Sequence, residues 1–112
     1  MKIDLELDTI RELEHAGGYI MCKTMTEVIY EELKDTYACS LRDNSIGQVL
    51  VIDVGFGYVL SVTHEERKEF HQFSIVSNRG SKPVYIICPI DKKGYSDIVP
   101  LYRFIDDFAN LI

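Results

Sequence analysis

Cysteine and histidine have the widest chemical reach of the side chains in this sequence, as nucleophiles, metal ligands and proton carriers, and there are three of each. A metal site usually shows ligands a few residues apart, as in Cys-x-x-Cys or His-x-x-x-His, because one turn of backbone can then bring both to one ion. Cys22, Cys39 and Cys88 form no such pair, and His64 and His71 stand seven residues apart around Glu65, Glu66 and Glu69. The spacing therefore predicts no metal and no cofactor. A catalytic thiol needs basic surroundings to lower its pKa. Cys22, beside Lys23, comes nearest, and with His71 it defines an alternative reading as a small-molecule sensor or minor enzyme with a pocket between sheet and helix. The three cysteines cannot all pair within the chain, and each has apolar neighbours such as Met21, Ala38 and Ile87. Buried free thiols in a reducing compartment are the simpler expectation.

The carboxylates and glycines offer no reaction either. Asp106 and Asp107 are adjacent, as are Glu31 and Glu32, and helical neighbours project about 100° apart, so neither pair shares a site. Gly55-Phe56-Gly57 follows an apolar run but leads into another, whereas a phosphate-binding loop must open a helix. No catalytic residue is assigned, and the chain is not expected to be an enzyme.

Charge says more. The net charge is −6, from 12 basic and 18 acidic residues, which repels phosphate backbones. Residues 1–39 hold nine acids against four bases, while 79–93 hold four bases against one acid. Seven tyrosines accompany five phenylalanines and no tryptophan, and tyrosine is favoured in recognition surfaces. Bases do not interleave with the aromatics, so nucleic acid is not an expected partner. A basic protein partner is. Glu27, Glu31, Asp35, Glu65, Glu66 and Glu69 are the expected contacts, with Tyr30 and Tyr58 as anchors.

The elements that must position these groups can be read from periodicity. A chain of 112 residues is expected to form one domain over residues 1–112, burying roughly 65% of its unfolded surface. Residues 2–7 fit strand or helix. Thr9 and Glu12 open a short helix at about 9–16, stopped by Gly17-Gly18, and Tyr19–Lys23 reads as a short strand. Thr24 and Glu27 open a second helix over about 25–39, with Met25, Val28, Ile29, Leu33 and Tyr37 on one face. Gln48–Val54, Tyr58–Thr63, Phe70–Ser77 and Val84–Pro89 read as strands, the last as a central one covered on both faces. Residues 64–69 fit one helical turn or a long hairpin tip. Pro100 then opens a helix whose Leu101, Phe104, Ile105, Phe108, Leu111 and Ile112 fall within about 120° of one another. Asp106 and Asp107 take its solvated side. The expected fold is α+β: a four-stranded antiparallel meander, two N-terminal helices and a packed C-terminal helix.

The last quarter, VYIICPIDKKGYSDIVPLYRFIDDFANLI, places an apolar strand before an Asp-x-x-Gly turn, a short Ile-Val segment and a helix with Phe104, Phe108 and Leu111 in phase. This order resembles the C-terminal end of the SUKH superfamily and of other small bacterial immunity proteins. The resemblance implies a small acidic protein without catalytic residues that binds and neutralises a toxin, often a nuclease domain. It carries over no site residue. A homo-oligomeric accessory subunit is a further alternative. The sequence shows neither a signal peptide nor an apolar run near the length of a membrane span, so a cytoplasmic location is expected.

Overall fold

The computed structural model describes residues 24–45, 47–80 and 82–112. Expectations for residues 1–23, including the helix at 9–16, the strand at 19–23 and Cys22, fall outside that range. The described chain is α+β. Helix α1 (Met25–Leu33) comes first, then strands β1 (Ala38–Asn44), β2 (Gly47–Gly55), β3 (Tyr58–Glu66), β4 (Phe70–Ser77) and β5 (Val84–Pro89), then helix α2 (Val99–Leu111). The strands form one antiparallel sheet in chain order, β1-β2-β3-β4-β5.

Among the described residues the sheet has five strands where the sequence suggested four. The difference lies in α1, which stops at Leu33 and does not run to residue 39. Tyr37 N–H bonds the Leu33 carbonyl at 2.9 Å, closing a turn, and Ala38–Asn44 pairs residue for residue with Gly47–Asp53. Strand pairing here outweighs helical periodicity: Cys39 and Leu41 land opposite Ile52 and Leu50 on the core face, a burial no extra helical turn could give them. Thr24 caps α1 as expected, its hydroxyl accepting from Glu27 N–H at 3.2 Å. Gln48 Oε1 accepts from the hydroxyls of Thr24, at 2.6 Å, and of Thr26, tying the start of α1 to the start of β2.

Alternation along the strands puts Leu50, Ile52, Leu60, Val62, Phe73, Ile75 and Cys88 on one face, all buried. Met25, Val28, Ile29 and Leu33 of α1 and Leu101 and Ile105 of α2 cover them, with Ile98 at the entry to α2. Among the described residues both helices lie on this face. The other carries Val49, Val51, Ser61, Thr63, Gln72 and Ser74, none fully buried. Among the described residues β5 stands at the edge of the sheet and not at its centre, with Tyr85 56% and Ile87 46% exposed. Its apolar composition misled because the face turned away from the helices is apolar there too.

The turns follow residue chemistry. Phe56 and Gly57 have φ of 55° and 78°, the two left-handed residues of a tight hairpin turn. Asp91 Oδ1 accepts from Lys93 and Tyr95 N–H, both at 2.9 Å, holding the Asp-x-x-Gly turn. β3 continues to Glu66, so residues 67–69 make a short hairpin tip. α2 begins at Val99, whose N–H bonds Asp97 Oδ1 at 2.9 Å, one residue before Pro100. Its apolar stripe is narrower than expected. Leu101 and Ile105 are fully buried, Phe104 and Phe108 only partly, and Leu111 is 85% exposed.

Candidate functional site

Three places bring polar chemistry together. The first is a histidine pair. Glu66 lies opposite His71 and His64 opposite Phe73, so the two imidazoles are diagonal neighbours on the core-side face. His64 Nε2 and His71 Nδ1 are 2.9 Å apart, and the His64 ring lies 5.2 Å from that of Phe73. Burial, and then the neighbouring His71, push His64 down to about 4, so it is neutral at pH 7. His71 is buried, and this contact engages its Nδ1. Cys88 faces His71 from β5, but burial and then Asp97 push its thiol up to about 11, so no thiolate stands beside the imidazoles. Burial raises Cys39 as well. Among the described residues no three histidine, cysteine or carboxylate side chains are grouped to hold a metal ion. The seven-residue separation, which looks too long for a local pair, is a short one around a tight hairpin.

The second place is a depression of about 350 Å³ at the same end of the sheet, where Asn44, Gln48, Thr63, Glu65, Gln72 and Ser74 converge around Val49. It offers amides, hydroxyls and one carboxylate. Glu65 is held by Arg67 at 2.9 Å. This volume is at the lower end of the range for small-molecule sites.

The third is the helical layer. Glu31, Glu32 and Asp35 are exposed on or just after α1, and Asp106 and Asp107 on α2; Lys34 and Arg103 are the bases among them. Lys34 pairs with Glu31 at 2.6 Å, which raises the Lys34 pKa. Between the helices runs a groove of about 230 Å³ lined by Glu32, Leu33, Thr36, Tyr102 and Asp106. The Tyr37 hydroxyl donates to Asp106 Oδ1 at 2.5 Å. Burial, and then that bond, push Tyr37 up to about 12, so it remains a donor at any physiological pH.

The eight expected contact residues fall into three groups. Glu27, Tyr30, Glu31 and Asp35 belong to α1 and its following turn, with Tyr30 half-buried against the core. Glu65, Glu66 and Glu69 belong to the β3–β4 hairpin. Tyr58 starts β3, about 27 Å from Glu66 at 3.4 Å per residue, and is already engaged. Arg79 lies over its ring at 4.6 Å, and Phe108 meets it edge-on at 5.9 Å. Glu32 and Asp106, each read in the sequence only as one of an adjacent acidic pair that shares no site, line one groove. Only the packing of two distant helices brings them together, and no local spacing signals that. No family model matches the chain, and no curated protein or solved structure is significantly similar to it.

Proposed function

We propose that this chain is a protein-binding domain whose acidic helical layer docks a basic partner, and that it serves as an immunity protein occluding a toxin domain. The observation that carries the reading is the charge of that layer: five exposed carboxylates, Glu31 and Glu32 on α1, Asp35 in the turn after it and Asp106 and Asp107 on α2, against Arg103 and a Lys34 already committed to Glu31. Such a face attracts a basic surface over several ångströms and speeds its encounter. The order of elements in residues 84–112, which resembles the end of SUKH and other bacterial immunity proteins, supports the narrower part. The protein then acts by steric cover and needs no catalytic group of its own.

The test is binding to a basic toxin domain encoded beside this chain, followed by surface plasmon resonance across a salt series. Reversal of Glu31 and Asp35 to lysine slows association roughly tenfold and flattens its salt dependence. Unchanged association would sink the acidic docking face. A second reading, a small-molecule sensor, is favoured by the polar depression at Thr63, Gln72 and Ser74, which lies on the face of the sheet turned away from the helices and not between sheet and helix as expected. Under that reading a metabolite raises the melting temperature, and Gln72→Ala removes the effect.

A further inference from the structure

The groove between α1 and α2 has a size, a floor and walls that together select an occupant. Its volume of about 230 Å³ is below the range of roughly 300–1,000 Å³ typical of sites for whole small molecules. It has room for one long side chain. Leu33 is buried and Tyr102 half-buried, which gives the groove an apolar floor. Glu32 comes from α1 and Asp106 from α2, so a carboxylate stands on each side. Thr36 adds a hydroxyl. Neither Lys34 nor Arg103 is among the lining residues.

The charge pattern excludes an anion and disfavours a purely aliphatic guest. An apolar stem with a cationic head fits both floor and walls, since long cationic side chains lay their methylenes on apolar surface and keep the charge at polar groups. Arginine fits better than lysine. Its guanidinium is planar, is weakly hydrated and presents five N–H groups in a fork, so it can meet two carboxylates at once. Asp106 is prepared for this role. The Tyr37 hydroxyl holds Oδ1 at 2.5 Å and so fixes the carboxylate, leaving Oδ2 to accept from a guest. Tyr37 is thus a positioning residue.

We infer that this groove is a socket for one arginine of a protein partner, its stem on Leu33 and Tyr102 and its guanidinium between Glu32 and Asp106. The inference rests on the protein-binding reading above and names the chemistry of its anchor. Arginine is enriched among the residues that dominate interface energetics, and a central anchor in a pocket is their usual setting.

The probe is N-acetyl-arginine N-methylamide, titrated into the whole protein at low salt and followed by amide NMR. Saturable shifts are expected, confined to Leu33, Thr36, Tyr102, Asp106 and their neighbours. The citrulline counterpart, equal in shape but uncharged, leaves these signals in place. Glu32→Gln and Asp106→Asn each weaken binding several-fold while the rest of the spectrum stays native, and Tyr37→Phe weakens it less. Shifts spread over the acidic surface without saturation, an equal response to citrulline, or no loss in E32Q and D106N would overturn the socket. A basic partner held equally by wild type and the E32Q/D106N double variant, yet released by reversal at Glu31 and Asp35, also overturns it and leaves the acidic docking face standing. A probe that seats in the groove while no basic toxin domain binds keeps the socket and removes the immunity reading.

Discussion

Acid should destabilise this fold early, and through one side chain. His64 has an ordinary pKa of 6.5 when the chain is unfolded and about 4 when folded. A group whose folded pKa is depressed favours its neutral form in the native state. Its contribution is therefore intact above pH 6.5 and is lost as the pH falls towards 4, because the unfolded chain then binds the extra proton. The full difference is about 3.4 kcal/mol at 1.36 kcal/mol per pKa unit. His64 is only partly buried, so water screens the effect, and about 2 kcal/mol is the better figure. About 1 kcal/mol of that falls between pH 6.5 and 5, before most carboxylates titrate. For a domain of this size it lowers the melting temperature by roughly 4 °C. The assay is urea unfolding of wild type and His64→Gln at half-unit steps from pH 7.5 to 5. Wild type should lose stability with the slope of most of one extra proton bound on unfolding, relative to H64Q. Parallel curves for the two proteins, or an NMR titration placing His64 near 6.5, would refute the reasoning.

Core and rim of α2 should separate cleanly in urea unfolding. Leu101→Ala, at a fully buried site, should cost about 3 kcal/mol, and Leu111→Ala, at an exposed one, under about 0.5 kcal/mol. Gly57→Ala should destabilise by about 1–2 kcal/mol, since φ there is 78° and the new Cβ would stand 2.7 Å from the Arg79 guanidinium now resting on Tyr58. Phe56→Asn should instead be neutral or stabilising by a few tenths of a kcal/mol, because asparagine tolerates a φ of 55° better than phenylalanine; thermal melts of the pair decide it. Tyr37→Phe should lose about 1 kcal/mol and, in an ultraviolet titration, abolish a phenol that ionises near pH 12.

Much of this fold is legible in residue order, and the gaps have physical causes. Val49, Val51 and Val54 announce β2, and Gly55-Phe56-Gly57 announces its hairpin, because β-branched side chains and left-handed turns are local preferences. Ala38–Asn44 carries no such preference. Its strand exists because β2 offers it a partner, which no window on residues 38–44 can contain. Phe104 and Phe108 fall on the apolar stripe by periodicity, yet they are only half-buried, since the reach of the sheet beneath a helix sets how much of the stripe is covered. The candidate site was least legible. His64 and His71 look remote until the hairpin register is known, and Glu32 and Asp106 come from opposite ends of the described chain.

The unbroken strand order has a kinetic consequence. Among the described residues every strand pairs only with its neighbours in sequence, so each pairing closes a loop of a few residues and needs no long-range search. Rates in antiparallel proteins are limited chiefly by distant pairings, and among the described residues this sheet has none. The slow step should be the docking of α1 and α2, which must settle on one finished face. Mutations in the β2–β3 and β3–β4 turns should then change the folding rate, while Leu101→Ala and Ile29→Ala should act mainly on unfolding.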